Sequence, residues 1–173
     1  MFMSILAYLT VKGKIQGLIT KDASAKESVG GDYQEDHRDE SILHDYHHEM
    51  TVPHDPHSGN STGLRVHKPV RITKSFDKAS PLLLQAFVQE EELEEVTIAF
   101  YRMANGIKQH YYTTTLKDAR IVAINKHTPT RQASERSHLE HLQDVHFSYR
   151  DIVETHVTSN TEGSDKWGKS ARG

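Results

Sequence analysis

Thirteen of the 173 residues are histidine, and no other residue type in the chain offers as much chemistry. Five crowd together as His44, His47, His48, His54 and His57. Imidazole nitrogens bind zinc, copper, iron and nickel, so these five with Glu49 could form a metal centre in a cupin-like barrel. The spacing argues against it. In a strand His44 and His48 share one face and His47 points the other way, while His54 and His57 fall in a proline-rich loop. His138 and His141 raise the same question. They would face opposite sides of a strand, and the spacing of HExxH is absent. No Gly-x-Ser-x-Gly elbow and no glycine-rich phosphate loop occurs. Asp55 and Asp118 sit at turn-like positions with no second carboxylate. The chain has no cysteine, which excludes disulfides, thiolate catalysis and cysteine metal sites. The residues therefore assign no catalytic, cofactor-binding or metal-ligating group and no cofactor. A His-rich metal-binding β-barrel enzyme stays as the alternative. His67 is the one histidine with a motif around it, and its expected work is a hydrogen bond to a neighbouring strand or subunit.

The elements that would position such groups are organised around Gly63 to Val88. Leu64, Val66, Val70, Ile72 and Phe76 alternate with Arg65, His67, Arg71, Thr73 and Ser75, which is the pattern of a two-faced strand. Lys68 breaks the apolar row beside Pro69, which places the strand at an edge or bends it there. Ser80 reads as an N-cap and Pro81 as the first helical residue. Leu82, Leu83, Ala86 and Phe87 then mark one helical face.

Before this stretch, Ile5 to Val11 is a strand apolar on both faces, followed by a turn at Lys12–Lys14 and a returning strand, Ile15 to Thr20. Lys21 to Ser41 is polar and long for a loop, with room for a short strand over 28–33. Ile42 to Val52 is a strand with a blurred pattern. Pro53 to Gly63 is an exposed, mobile arm. After the helix, the run Glu90–Glu95 ends it and solubilises a loop. Val96, Ile98 and Phe100 begin a strand, Asn105-Gly106 supplies a hairpin turn, and strands follow over 108–116 and 118–125. Lys126 to Ser137 is a polar loop. Val145, Phe147, Tyr149, Val153 and Val157 share one parity, and a strand of that length must bend or bulge. From Ser159 to Gly173 the chain is polar apart from Trp167. Seven or eight hairpin-linked strands and one helix point to a sandwich or barrel. The expected organisation is a single β-barrel domain over residues 1–158 with a polar tail over 159–173.

Several of these motifs resemble those of the haemolysin-coregulated protein (Hcp) family, the tube proteins of type VI secretion. They are Val66-His67-Lys68-Pro69, Ile72-Thr73-Lys74, Asp77 and Ser80-Pro81-Leu82-Leu83. Gly13 with Gln16-Gly17-Leu18-Ile19, Phe100-Tyr101-Arg102, Tyr111-Tyr112-Thr113-Thr114 with Leu116, and Gly163 to Trp167 support it. The resemblance runs from Leu6 to Trp167. Many relatives have a smaller polar loop around 38–57 with fewer histidines, and the residues after Trp167 are this chain's own.

The resemblance implies a mainly β fold, a two-sheet β-barrel like that of phage tail-tube subunits, with one short α-helix. It implies a structural protein rather than an enzyme: six copies in a ring, rings stacked into a hollow tube, with spike, contractile sheath and secreted effectors as partners. It also implies passage from the bacterial cytoplasm to the outside. Arg65, His67, Lys68 and Arg71 on the central strand, and His54, Asp55 and His57 on the arm, are the candidate subunit-interface residues. Histidine titrates near neutrality, so assembly through that arm would respond to pH. A net charge of -3 with no basic cluster gives no reason to expect nucleic acid. The apolar start lacks a preceding positive charge and a cleavage site, and no run approaches the roughly 18 apolar residues of a membrane helix, so neither a signal peptide nor membrane insertion is expected.

Overall fold

The computed structural model describes residues 6–128 and 141–167. Strand β1 (Leu6–Gly13) turns into the two-residue β2 (Gly17–Leu18). A single helical turn, α1 (Lys26–Val29), and two short 3-10 turns follow. The strand expected over 28–33 is therefore helical turns, a polar stretch with no alternation to specify a sheet face. Next come β3 (Ser41–His47), β4 (Met50–Thr51), β5 (Val66–His67), β6 (Val70–Ser75) and helix α2 (Ser80–Val88). The chain continues with β7 (Leu93–Ala104), β8 (Ile107–His127), β9 (Leu142–Ser148), β10 (Asp151–His156) and β11 (Thr161–Lys166).

Nine strands form one sheet in the order β11-β10-β8-β7-β1-β3-β6-β9, with β2 beside β1, and β9 pairs back onto β8. The ladder β8-β7-β1-β3-β6-β9-β8 thus closes on itself. Closure removes the edges that an open sheet would leave exposed. Strand β8 makes this possible by its length of 21 residues. Its first half pairs with β10 (Thr114 opposite Glu154) and its second half with β9 (Ile124 opposite Val145). Asp118, at φ 49°, marks the joint where two strands had been expected. Strands β9 and β10 are likewise the one long strand expected, bent at Tyr149–Arg150. The β7–β8 hairpin closes through Asn105 and Gly106, both at positive φ (53° and 76°), as a two-residue turn of this sequence requires.

The core runs through the closed ladder. Leu9, Val11, Val70, Ile72, Val96, Ile98, Leu116, Val145 and Phe147 are fully buried, and Leu83 of α2 packs onto them. Of the expected apolar face of α2, Leu83 and Ala86 are buried, Phe87 is half-buried, and Leu82 is exposed. Ser80 opens the helix but does not cap it alone. The Asp77 carboxylate accepts from Ala79 N–H at 2.9 Å, and Ser80 Oγ accepts from Asp77 N–H at 3.0 Å, a reciprocal pair of the capping-box kind.

Two expectations about faces are corrected. The strand read from Leu64 to Phe76 is broken at Lys68-Pro69, because proline cannot donate to the ladder. Its first part pairs with β4 in a separate two-stranded sheet, so Leu64 and Val66 are exposed while Val70 and Ile72 are core. Residues 161–166, read as polar tail, form β11. That strand is an edge with little burial, so no alternation marked it.

Candidate subunit interface

The arm between β4 and β5 is a hairpin held by its own backbone. Asp55 N–H donates to Asn60 O and Gly59 N–H to Asp55 O, both at 2.8 Å, and Thr62 N–H donates to Pro53 O at 2.9 Å. The Asp55 carboxylate accepts from His57 N–H at 2.7 Å. Asp55 is thus a turn-forming residue, while His54 and His57 are exposed. The expected arm is thus a hairpin with its own backbone hydrogen bonds. At its root Met50, Val52, Leu64 and Val66 stand exposed. Beside them, Lys68 pairs with Glu49 at 3.3 Å and Arg71 with Asp45 at 3.5 Å, both ion pairs open to solvent.

Arg65 and His67 are engaged within the chain. The Arg65 guanidinium grips Asp165 of β11 at two points, Nε on Oδ2 and Nη2 on Oδ1, the latter at 2.7 Å. His67 is buried, with Nε2 2.7 Å from Asp165 Oδ2 and Nδ1 2.6 Å from the Tyr149 hydroxyl. His48 Nε2 lies 2.7 Å from that same hydroxyl. A carboxylate can only accept, which sets the direction of the chain. With both rings neutral, His48 donates to Tyr149, Tyr149 donates to His67, and His67 donates to Asp165. The Arg65 hydrogen bonds, reinforced by His67, hold the Asp165 carboxyl well below the usual carboxylate range. Burial pushes the Tyr149 hydroxyl up and the His48 imidazole down. The indole of Trp167 lies against His67 at 6.1 Å between ring centres. This network fastens the root of the arm to the edge strand and to the bend between β9 and β10.

Two structural residues escaped the sequence reading. Lys74 shares the inward parity of Val70 and Ile72 and is fully buried, its Nζ 2.7 Å from Asp77 Oδ1. Burial lowers its pKa, and Asp77 acts against that shift. Glu91, within the acidic run read as a solvated face, is also buried. Its Oε2 accepts from Ile15 N–H at 3.1 Å and Gln16 N–H at 3.0 Å, and its Oε1 accepts from Gln16 Nε2 at 3.0 Å. Lys74 carried a positional signal, a lysine in phase with an apolar row, whereas nothing in the sequence marked Glu91.

The five histidines of 44–57 do not converge. His44, His47, His54 and His57 are exposed, and His48 turns to Tyr149. Among the described residues no three His, Asp or Glu side chains come together in a way that could hold a metal ion. His138 lies outside the described residues, and His141 stacks on Phe76.

A closed ring of antiparallel strands with one packed helix and a hydrogen-bonded arm is the frame in which these residues sit. Residues 8–156 match the family described as "Type VI secretion system effector, Hcp". The chain is 51% identical over 166 residues to the "Major exported protein" of Pseudomonas aeruginosa, covering 95% of this chain and 96% of that one. It superposes on a crystal structure of an Hcp protein with a TM-score of 0.92 at 38% identity, covering 96% of this chain and all of that one. The secreted protein Hcp3 of Pseudomonas aeruginosa gives 0.81 at 45% identity, covering 95% and 99%. The chain therefore belongs to the Hcp family of type VI secretion, a family of structural tube proteins and not of enzymes.

Proposed function

We propose that this protein is the building block of a type VI inner tube: six copies close into a ring, and rings stack into a hollow tube. The observation that carries the reading is the arm. A hairpin of exposed polar residues on an exposed apolar root, locked to the barrel by Arg65 and His67, suits a contact made to another copy. A cyclic ring joins unlike patches, and stacking extends that contact into a fibre. In this reading Lys68, Arg71, His54 and His57 face a neighbour. Arg65, His67 and Asp55 set the arm's angle and shape. The tube sits within a contractile sheath behind a spike, and released rings carry effectors in the lumen. Export then follows the type VI route from the cytoplasm to the outside.

The test is export from a host with an active type VI system. A tagged copy should appear in the medium of the parent strain and stay in the cells when the sheath is deleted. Equal amounts outside both strains would contradict the proposal.

A further inference from the structure

At one mouth of the barrel the core gives way to a cavity of about 330 Å3 lined by Tyr46, Phe100, Tyr111, Tyr112, Thr114 and Glu154. The strand pattern puts it there. Ile98, Leu116 and Ile152 are core residues, and two positions along their strands, on the same faces, stand Phe100, Thr114 and Glu154. Where three aliphatic side chains would continue the core, the chain supplies an aromatic ring, a hydroxyl and a carboxylate.

The aromatic groups form a wall rather than a packed plug. Tyr46 meets Phe100 edge-on at 5.1 Å, Phe100 meets Tyr112 at 5.9 Å, and Tyr111 meets Tyr112 at 6.4 Å. Aromatic faces carry negative potential and attract cations. The Arg102 guanidinium already lies over the Tyr111 ring, 4.8 Å from its centre. The Glu154 carboxylate is held in place by the Tyr112 hydroxyl, which donates to Oε2 at 2.8 Å. Burial pushes the Tyr46 and Tyr112 hydroxyls up to about 12, so both stay neutral and Glu154 supplies the negative charge among the lining residues.

The Thr114 hydroxyl is buried beside the Tyr46 hydroxyl and is not open to a ligand in the cavity. The Glu154 carboxylate therefore discriminates among cations, since it accepts from an N–H donor that enters. A quaternary ammonium has no N–H to give. A cavity of this size is at the lower end of those that hold small ligands, and barrel mouths are a common place for them.

We propose that this cavity binds a primary alkylammonium group, its N–H donors on Glu154 and its alkyl stem against Phe100, Tyr46 and Tyr112. Two sources present that chemistry: a free alkylamine, and a lysine side chain of a second copy of this chain. The site stands independently of the tube reading, and its test does not depend on ring formation.

The experiment follows the ring proton resonances of Tyr46, Phe100 and Tyr112 while n-butylammonium chloride is added to the full chain, with sodium chloride at equal ionic strength as the blank. Saturable shifts of these three rings are expected. Glu154→Gln should weaken the binding about tenfold. The loss should be smaller for tetramethylammonium, which has no N–H, and thermal melting checks that the variant folds. If the ammonium comes from a second copy, the rings of the unliganded protein shift with protein concentration and n-butylammonium reverses the shift. Concentration-independent spectra assign the site to a free amine. No saturable shift through the millimolar range would overturn the proposal. So would equal binding of tetramethylammonium and n-butylammonium with equal losses in Glu154→Gln.

Discussion

Arg65 and Asp165 stand 100 positions apart in the chain and meet in a two-point ion pair, with His67 closing on the same carboxylate. The pair joins the arm's root to the last strand of the sheet. Strand β11 has polar residues and one strand neighbour, β10, so its docking rests on this clasp as well as on its ladder. The arm and the edge strand are therefore mechanically coupled, although neither holds a core residue.

Asp165→Asn tests the clasp. The variant removes the charge that Arg65 grips and leaves buried His67 with a weaker acceptor. Leaving such a group poorly paired costs about 1–3 kcal/mol, a fall of roughly 2–12 °C in melting temperature for a chain of this size. The depressed pKa fixes the pH dependence. The stability that Asp165 contributes is full above the usual carboxylate range and is lost as pH falls through its folded-state value. Melting curves of the wild type and the variant should thus differ most near neutrality and converge in acid.

His48 adds a second acid response at milder pH. Burial, with smaller contributions from His67 and His47, lowers its pKa, while Glu154 acts the other way. The unfolded chain accordingly takes up the proton first. The contribution of His48 is present above about 6.5 and is lost as pH falls below it. His48→Gln keeps an N–H donor for Tyr149 and removes the titration. Between pH 7.5 and 5.5, melting temperature should fall less in the variant than in the wild type.

How much of this could be read from residues alone differs by element. The apolar strands, the Asn105-Gly106 hairpin and helix α2 follow from alternation, turn chemistry and a proline at the helix start, whereas the closure of the ladder rests on the distant β8–β9 pairing. Lys74 stands in phase with an apolar row, but a charged residue is normally solvated, and only the third dimension shows Asp77 beside it and the Ile15–Gln16 amides beside Glu91. The clasp was hidden for another reason. Asp165 lies in a segment with no apolar pattern, and nothing local links it to Arg65. The cavity at the barrel mouth was hidden too, since Tyr112 and Phe100 read as ordinary strand residues.

Gly13 and Glu91 offer a stability test in the first hairpin. A Cβ on Gly13 would stand 1.9 Å from Glu91 Oε2, the atom that accepts from both turn amides. Gly13→Ala must displace that carboxylate, and Glu91→Ala removes it. Each should cost about 1–3 kcal/mol in denaturant unfolding. The double variant should cost much less than the sum, because both break the same bonds. Additive losses would contradict the account.

Deleting His54 to Asn60 probes the arm. The segment contains no buried residue and its hydrogen bonds are largely its own. The melting temperature of the variant should stay within a few degrees of the wild type, while assembly into stacked tubes weakens. Unchanged tubes in electron micrographs would remove the arm from the interface.

The six-copy ring is the centre of the account, and mass is its most direct measure. Light scattering after size exclusion, with negative-stain images of the same peak, should give six times 19.7 kDa, about 118 kDa, and ring-shaped particles. A single species at 19.7 kDa across the accessible concentration range, with no rings on the grid, would contradict it.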